Sequence, residues 1–296
     1  MVSTVLHSVL PGLRVKNKYT KHTNGKEMTK LMQNKKGLIM GVANEKSIAW
    51  GIAKTLHEHG AELAFTYQGD AFEKRVRPLA ESLNSNIILN CDASKDSDLD
   101  HVFKVISQEW GGLDFVVHAI AYSDKEELKG RYVDTSLNNF VNSMLISCYS
   151  FTAVMKRASE LMPNGGSAIT LSYLGAERVV PNYNVMGVAK AALEASVRYM
   201  AHDFGPQDIR VNAISAGPMK TLAGSAIGSA RHTFRYNQEN APLKRTPELE
   251  DLGGSALYLL SDLSNAVTGE IHYVDCGYNT LGVPSRQAVE IVSENP

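Results

Sequence analysis

Short apolar runs alternate with amphipathic segments of helical length from residue 36 almost to the end of this 296-residue chain. Buried strands are typically short apolar runs bounded by turn residues, whereas helices repeat apolar residues every three or four positions. Because a helix separates each strand from the next, the strands are predicted to run parallel in one doubly wound sheet. We predict strands at 37–42, 61–67, 86–91, 113–119, 167–171, 209–214 and 266–274. We predict helices at 47–60, 71–83, 98–110, 136–161, 182–204 and 248–260, with a bend in the long helix 136–161.

Composition limits the classes of protein that this chain can belong to. Hydrophobic residues make up 44% of it, enough for one sizeable core, and no apolar run reaches the length of a membrane-spanning helix. Residues 1–36 carry eight Lys or Arg and one Glu, a net charge of +7, while the whole chain carries −1. The body therefore has no basic excess, which argues against nucleic acid as a partner.

The three cysteines lie far apart and have neither disulfide nor metal-binding spacing, so we expect a reducing, cytoplasmic compartment and no metal site. No linker or repeat interrupts residues 36–280, and we predict one domain at 36–281 followed by a tail at 282–296. Three alternatives remain for the basic, polar residues 1–35. They are an upstream start (Met28 and Met32 precede the first strand), a disordered tail, or a weak organellar presequence.

A tyrosine and a lysine lie seven residues apart in the predicted helix 182–204. Seven residues make nearly two turns, so Tyr183 and Lys190 are predicted to share one face. A lysine near a phenol favours the phenolate and can reach a bound ribose. The pair suits proton delivery or stabilisation of an oxyanion. The simpler alternative is an amphipathic helix with a buried tyrosine and a solvated lysine, and the pair alone does not separate the two.

The turn after the first strand carries the second candidate site. Gly41 allows a sharp turn, Ser47 can cap the following helix, and Gly51 lets that helix approach the sheet. The helix N-terminus would offer free N–H groups to a pyrophosphate. Any strand–helix turn can carry such residues, but the position at the first strand of an α/β series predicts a Rossmann-type, dinucleotide-binding domain.

The ends of the next strands refine that prediction. Gln68 ends the second strand and can bond a ribose hydroxyl, and the nearest cations, Lys74 and Arg75, lie a turn into the next helix, so NADH is favoured over NADPH. Asp92 can accept from the adenine amino group, cap the next helix, or do both. His118, at the end of the fourth strand, is expected to be a hydrogen-bonded structural residue.

Together, the Gly41…Ser47…Gly51 turn, Tyr173, and Tyr183-x6-Lys190 resemble the NADH-dependent enoyl-acyl carrier protein reductases of type II fatty acid synthesis. This family is a divergent branch of the short-chain dehydrogenases/reductases, and the resemblance covers about residues 36–279. The standard short-chain spacing would require a tyrosine at 186, where this chain has Met186.

The resemblance implies an oxidoreductase of fatty acid biosynthesis that reduces the trans-2 double bond of enoyl-acyl carrier protein with NADH, the last step of the elongation cycle. It implies that Tyr183 and Lys190 are the catalytic pair and Tyr173 a second active-site tyrosine, which orients the thioester or only lines the pocket. The implied cofactor-binding residues are Gly41, Ser47, Ile48, Gln68, Asp92, Ala93, Ile120, Lys190, Met219 and Thr221. The implied substrate-binding residues are Ala121, Tyr173, Tyr183, Ile227 and Phe234.

The resemblance also implies a substrate-binding loop at 221–236, for which an amphipathic surface helix is the alternative. Basic residues in this loop and just before it (Lys220, Arg231 and Arg235) could steer an acidic carrier protein. The family is typically a homotetramer, and five small residues after Tyr183 would allow close packing against a neighbour: Gly187, Ala189, Ala191, Ala192 and Ala195.

Two departures from the family pattern are noted: Ala119 and Ala121 stand where Ser and Gly are frequent, and Cys276 where Gly is usual. Two rival functions remain. One is a standard short-chain reductase, in which Ser172 would bind a ketone, and the other is a non-enzymatic sensor of NAD.

Overall fold

The computed structural model describes residues 30–225 and 230–283, in which seven parallel strands form one sheet flanked by helices on both faces. The order across the sheet is β3-β2-β1-β4-β5-β6-β7. The first three strands are added in one direction across the sheet, and the strands from β4 onward are added in the other. The strands are β1 Lys36–Met40, β2 Glu62–Tyr67, β3 Ile88–Asn90, β4 Phe115–His118, β5 Gly166–Ser172, β6 Ile209–Ala216 and β7 Ile271–Val274. All seven predicted strands and their parallel arrangement are confirmed.

The helices follow the predicted alternation, with two additional helices, α7 and α8, after β6. The helices are α1 Ile48–Glu58, α2 Asp70–Ser82, α3 Asp96–Trp110, α4 Leu137–Met144, α5 Ser150–Ala158, α6 Asn184–Phe204, α7 Leu222–Ser225, α8 Ala230–Asn240 and α9 Leu249–Leu260. No helix in the described part of the chain is both long and apolar enough to cross a membrane.

The long helix predicted at 136–161 has no break between α4 and α5, but it contains a segment that is not α-helical. α4 and α5 are joined by a turn of π-helix, Leu145–Tyr149, which we call the π turn. Ser136 caps the start of α4 by accepting from the Asn139 N–H. A π turn widens the helix locally and often lies at functional sites. Here it packs against α6, the helix that carries Lys190.

Two apolar layers enclose the sheet. Alternate residues of a strand face opposite sides, so Leu38 and Met40 enter one core cluster while Ile39 enters the other. The first cluster packs α3, α5 and α6 on the sheet, and the second packs α1, α2 and α9. Both faces are covered by helices, as expected for a parallel sheet. A ligand can therefore approach the sheet at the ends of its strands.

α1 and α9 cross at close range through two glycines. A Cβ at Gly51 would lie 2.7 Å from the Leu249 Cβ, and a Cβ at Gly253 would lie 2.1 Å from the Thr55 hydroxyl oxygen. The prediction that Gly51 lets α1 approach the sheet is therefore wrong, because its missing side chain makes room for α9.

Packing begins before the first strand. Met32 is fully buried, and its N–H donates to the His59 carbonyl at the end of α1. The predicted limits of the domain, 36–281, and of the two terminal segments stay predictions.

Candidate functional site

The reversal of strand order between β1 and β4 opens a crevice at the carboxyl edge of the sheet, where doubly wound proteins bind their ligands. Gly41 follows β1 with φ +100°, and a Cβ there would lie 2.2 Å from the Ala119 carbonyl oxygen after β4. Only glycine fits both the backbone angle and this contact. The turn therefore packs directly against the backbone that follows β4.

Ser47 shapes the next part of the same turn. It occupies the N-cap position of α1, but its hydroxyl does not cap the helix. The hydroxyl instead accepts from the N–H groups of Ala43 (3.0 Å) and Asn44 (3.1 Å), which folds the loop back on itself. The predicted helix cap is thus wrong. The first turn of α1, which begins at Ile48, keeps amides that no side chain caps, and such amides bind anions.

At the ends of β2 and β3, the exposed Gln68 and half-buried Asp92 lie side by side. Asp92 accepts from the Ser94 N–H (3.0 Å) and hydroxyl (2.6 Å). Burial raises the Asp92 pKa, but these hydrogen bonds outweigh it and the pKa is lowered overall. Lys95, not Asp92, is the N-cap of α3, so the cap prediction for Asp92 is wrong. The carboxylate closes a turn before the helix, with the buried Ala93 inside that turn.

Beyond β4 the chain leaves the sheet along the crevice. Ile120 packs partly buried against the core, and Ala121 is exposed. The next residue, Tyr122, exchanges two hydrogen bonds with the Ser147 hydroxyl on the π turn, donating through its N–H at 2.9 Å and accepting through its carbonyl at 3.0 Å. The loop after β4 is therefore fastened to the same π turn that packs against α6.

Tyr183 lies immediately before α6, between two asparagines in left-handed conformations. Asn182 has φ +62° and Asn184 has φ +39°, a region that asparagine tolerates better than most residues. The Asn184 side chain donates to the Leu128 carbonyl at 3.2 Å. α6 consequently begins two residues later than predicted, and Tyr183 stands at its N-cap with only 7% of its surface exposed.

The two tyrosines meet edge to face. The rings of Tyr173 and Tyr183 have centroids 5.0 Å apart at 75°. The Tyr183 ring also lies against Gly175, where a Cβ would come within 2.4 Å of the Tyr183 Cδ1. A Cβ at Gly187 would in turn reach the Gly175 carbonyl at 2.7 Å. Two glycines thus let the loop after β5 settle on α6 and hold the phenol ring in place.

Both phenols are neutral at physiological pH. Burial raises the pKa of Tyr173 to about 12. Burial, with the neighbouring Tyr173 and Glu194, raises the pKa of Tyr183 as well. The prediction that Lys190 favours the phenolate of Tyr183 is therefore wrong, since desolvation dominates. A neutral phenol is a hydrogen-bond donor, the form that can stabilise an oxyanion.

Lys190 lies on α6 two turns after Tyr183 and is 5% exposed, which rules out the alternative of a solvated lysine. Its ammonium donates to the Leu171 carbonyl oxygen at 2.6 Å, at the end of β5. Burial lowers its pKa to about 8. Lys190 is therefore a buried cation close to its titration point, and perturbed groups of this kind concentrate at functional sites.

His118 is structural, as predicted. It is fully buried between the hydroxyls of Thr170 (3.1 Å from Nδ1) and Ser150 (2.9 Å from Nε2). Burial, with the nearby Lys190, lowers its pKa to about 3, so it is neutral. Its hydrogen bonds join β4, β5 and the start of α5.

On the far side of the crevice, the segment after β6 carries the remaining predicted residues. Met219 packs against the core, and the Thr221 hydroxyl accepts from the Gly224 N–H at 2.9 Å, which closes the first turn of α7. The Phe234 ring on α8 is covered by the ammonium of Lys220, 4.7 Å from its centroid. Ile227 lies outside the described residues.

The structure adds a third aromatic group that sequence analysis missed. Tyr278, in the turn after β7, raises the Tyr173 pKa by its proximity and lies edge-on to Tyr236 of α8, with ring centroids 6.2 Å apart. Arg178 holds this turn by donating to the carbonyls of Leu281 (2.8 Å) and Asn279 (2.7 Å). Residues some hundred positions apart have no local pattern to link them, so no sequence signal was available.

Ser172 and Glu194 were also missed as a pair. The Ser172 hydroxyl donates to the Glu194 carboxylate at 2.5 Å, and both side chains are buried. Ser172 is turned into the protein, away from any role as a ligand for a ketone.

A glycine turn at the switch point of a parallel sheet, beside a buried tyrosine and lysine, defines a Rossmann-type nicotinamide-dependent reductase. Comparison with known proteins gives the family. Residues 41–279 match the family model described as enoyl-(acyl carrier protein) reductase. The chain belongs to this family.

The relatives are similar over nearly their whole length. Enoyl-[acyl-carrier-protein] reductase [NADH] 2 of Rhizobium meliloti is 61% identical, over 89% of this chain and 98% of that protein. The crystal structure of the reductase from Anaplasma phagocytophilum in complex with NAD is 61% identical, with a TM-score of 0.84 over 86% of this chain and 97% of that one. The Bacillus cereus enzyme, solved with NADP+ and an indole naphthyridinone, is 50% identical, with a TM-score of 0.84 over 86% of this chain and 99% of that one.

Proposed function

We propose that this chain reduces the trans-2 double bond of enoyl thioesters carried by acyl carrier protein, with NADH as the reductant. The observation that carries this proposal is the state of Tyr183. It is a buried, neutral phenol at the N-cap of α6, two helical turns before the buried Lys190.

The residues at the crevice fit a dinucleotide. The turn at Gly41 leaves space that a side chain would fill, and the first turn of α1 has no side-chain cap, so its amides suit a pyrophosphate. Lys190 would hold the nicotinamide ribose hydroxyls. When bound, NADH supplies a hydride to the β-carbon of the substrate.

Tyr183 then acts on the other end of the conjugated system. As the β-carbon gains the hydride, negative charge develops on the thioester oxygen, and the Tyr183 hydroxyl donates a hydrogen bond to it. A neutral phenol is required for this role, which agrees with its raised pKa. A proton added at the α-carbon completes the saturated acyl chain. Tyr173, edge-on to Tyr183, would orient the thioester.

The surroundings of Gln68 favour NADH over NADPH. Arg77, on the helix that follows, is bound to Glu73 at 2.6 Å, and Asp92 beside Gln68 is an anion with a lowered pKa. A 2′-phosphate would meet the negative charge of this carboxylate, and like charges repel.

A standard short-chain ketone reductase is the nearest alternative. Its tyrosine would stand at position 186, but Met186 is buried with its sulfur 3.6 Å from the Ser147 hydroxyl. Its ketone-binding serine would be Ser172, whose hydroxyl is committed to Glu194. Both observations favour the enoyl reductase.

The test follows loss of NADH absorbance with crotonyl-coenzyme A and then with an enoyl-acyl carrier protein, with NADPH and a 3-ketoacyl thioester as controls. Turnover that requires the enoyl substrate and prefers NADH is the expected result. Turnover with the ketoacyl thioester alone would assign the chain to the standard reductases. Tight NADH binding without any turnover would instead support the sensor of NAD.

The proposal extends to partners. Lys220 and Arg235 are exposed beside the crevice and suit an acidic carrier protein, although Arg235 is paired with Glu239 at 2.8 Å. Arg231 has the same proposed role. A cytoplasmic location is proposed with this partner.

A homotetramer is also proposed. Its support is a set of exposed apolar residues along α4, the π turn and α6: Leu137, Val141, Tyr149, Val188 and Tyr199. Of the small residues expected to pack against a neighbour, Gly187 faces Gly175 and Ala189 is fully buried, so these two serve packing within the chain. Light scattering coupled to size-exclusion chromatography tests the state, and a monomer at micromolar concentration would refute it.

A further inference from the structure

A buried acidic residue lies one helical turn beyond Lys190 and has no part in the chemistry described above. Glu194 and Lys190 are four residues apart on α6, which places their Cβ atoms about 5–6 Å apart on one face. Glu194 is 6% exposed and Lys190 is 5% exposed. Buried carboxylates are rare unless they are paired, so the position calls for an explanation.

Both side chains are bound to the same end of β5. The Lys190 ammonium donates to the carbonyl of Leu171, and the Ser172 hydroxyl donates to Glu194 at 2.5 Å. Leu171 and Ser172 are consecutive and share one peptide unit. The end of the strand therefore holds the cation and the carboxylate in fixed positions relative to each other.

The hydrogen bond also fixes the charge of Glu194. A hydroxyl that donates to a carboxylate favours its ionised form. Burial raises the Glu194 pKa from its ordinary value, whereas the Ser172 hydroxyl lowers it. The Glu194 pKa is raised overall, and the short hydrogen bond opposes that rise and favours the carboxylate.

We infer that Glu194, held by Ser172, is a positioning residue that supplies the counter-charge for Lys190 and keeps its buried ammonium charged for binding the dinucleotide. This inference rests on the role proposed above for Lys190 at the ribose.

The other titratable groups around the pair do not replace Glu194. Lys190 faces His118 of β4 and Cys148 of the π turn as well as Glu194. His118, whose pKa burial lowers to about 3, is neutral at physiological pH. Glu194 itself also faces Glu177, Arg198 and Tyr273. Of the groups that face Lys190 in the described part of the chain, Glu194 is the one carboxylate.

The expected signature is a change in the pH dependence of NADH binding. Burial lowers the Lys190 pKa to about 8, while Cys148 and Glu194 act to raise it. Loss of the Glu194 charge would lower it further, so the ammonium would lose its proton at a lower pH. The NADH Kd of the variant would therefore begin to rise at a lower pH than that of the unaltered chain. At acidic pH the two Kd values would be equal, because Lys190 is charged in both proteins.

The test is Glu194→Gln, which keeps an acceptor for Ser172 and nearly the same volume, with the NADH Kd measured by fluorescence from pH 6 to pH 8.5. For a loss of about one pKa unit at Lys190, the Kd rises about eightfold at pH 8.5 and less than about 1.5-fold at pH 6. The equal affinity at pH 6 shows in the same experiment that the variant is folded. An equal loss at both pH values, or no loss at either, would overturn the inference.

Glu109→Gln, at an exposed glutamate of α3, is the matched control, because it makes the same substitution and removes one carboxylate charge from the surface. It is expected to leave the NADH Kd at pH 8.5 unchanged, and a rise as large as that in Glu194→Gln would overturn the assignment of the counter-charge.

The double variant Lys190→Met/Glu194→Gln separates this inference from the proposed function. If Glu194 acts through Lys190, adding Glu194→Gln to Lys190→Met changes the NADH Kd at no pH. Normal NADH binding by Lys190→Met would refute the proposed ribose contact together with this inference. If Lys190→Met binds NADH weakly but the Kd of Glu194→Gln rises at the same pH as that of the unaltered chain, the inference about Glu194 is refuted and the proposed ribose contact is not.

Discussion

The two sides of the crevice are built by different means. On one side, which we call the floor, the turn from Gly41 to Ser47 fits against Ala119 through backbone geometry. On the other, which we call the wall, Tyr183 and Lys190 are buried side chains whose protonation depends on their neighbours.

The difference shows which changes each side can tolerate. On the floor, contacts are made by N–H and C=O groups, so small side chains can be exchanged, and Ala119 and Ala121 can stand where the family often has Ser and Gly. On the wall, the proposed role depends on one hydroxyl or one charge, so a conservative change would abolish it. We therefore expect wall variants to lose function while staying folded, and floor variants to lose stability and binding together.

Tyr183→Phe is expected to have the largest effect and tests the wall alone. Loss of the hydroxyl removes the hydrogen bond to the thioester oxygen, and kcat should fall about 10²–10³-fold. The ring keeps its packing on Gly175, so the NADH Kd should stay within about twofold. Stopped-flow and steady-state kinetics measure kcat, and fluorescence measures the Kd.

The matched control is Tyr199→Phe, on an exposed position of α6, which should leave kcat unchanged. An unchanged kcat in Tyr183→Phe would remove the tyrosine from the chemistry.

Lys190→Met is expected to weaken NADH binding about 10–100-fold, the value of a charge-assisted hydrogen bond. Because burial lowers the Lys190 pKa to about 8, the ammonium is charged below that pH and neutral above it. NADH binding by the unaltered chain should therefore weaken above about pH 8, whereas that of the variant should show no such step. Titration calorimetry across this range measures both. Lys156→Met, an exposed lysine on α5, serves as the control, and an alkaline step that persists in Lys190→Met would belong to another group.

Gly41→Ala tests the floor. The new Cβ meets the Ala119 carbonyl in a backbone conformation that favours glycine, so the free energy of unfolding should fall by about 2–3 kcal/mol. NADH binding should weaken with it, because the turn moves away from β4. Urea denaturation and NADH titration provide the two measurements.

Gly111→Ala is the control for backbone strain alone, since Gly111 has φ +69° with nothing within 4 Å of its Cβ position. It should cost only about 1 kcal/mol and leave NADH binding intact. Equal costs for the two variants would mean that the Ala119 contact is unimportant.

Gly51→Ala is expected to have the smallest effect. Its Cβ would press on Leu249 of α9, at a cost of about 1–2 kcal/mol, while alanine returns about 1 kcal/mol of helix propensity. Thermal unfolding should therefore show little net change, with kcat unaltered. Gly254→Ala, with nothing within 4 Å, should stabilise α9 by about 1 kcal/mol. A large loss of NADH binding in Gly51→Ala would place this helix crossing within the floor.

Most of the fold could be predicted because its signals are local. Apolar runs and helical periodicity located seven strands and the main helices. The observed boundaries differ from the predicted ones where backbone conformation departs from a regular helix. α6 begins two residues late because Asn182 and Asn184 turn left-handed, and the long helix 136–161 contains a π turn that periodicity does not register. Serine and glycine were predicted at the right places, but Ser47 binds its own loop and Gly51 faces another helix.

The sequence by itself determined the parallel sheet, the glycine turn, and the Tyr183–Lys190 spacing, because each depends on residues close together in the chain. Only the tertiary structure decided the protonation of those two residues, since burial is a sum over distant elements. It also decided their neighbours. Ser172 reaches Glu194 across 22 positions, and Arg178 binds the turn around Tyr278 across about a hundred, contacts that no local pattern encodes.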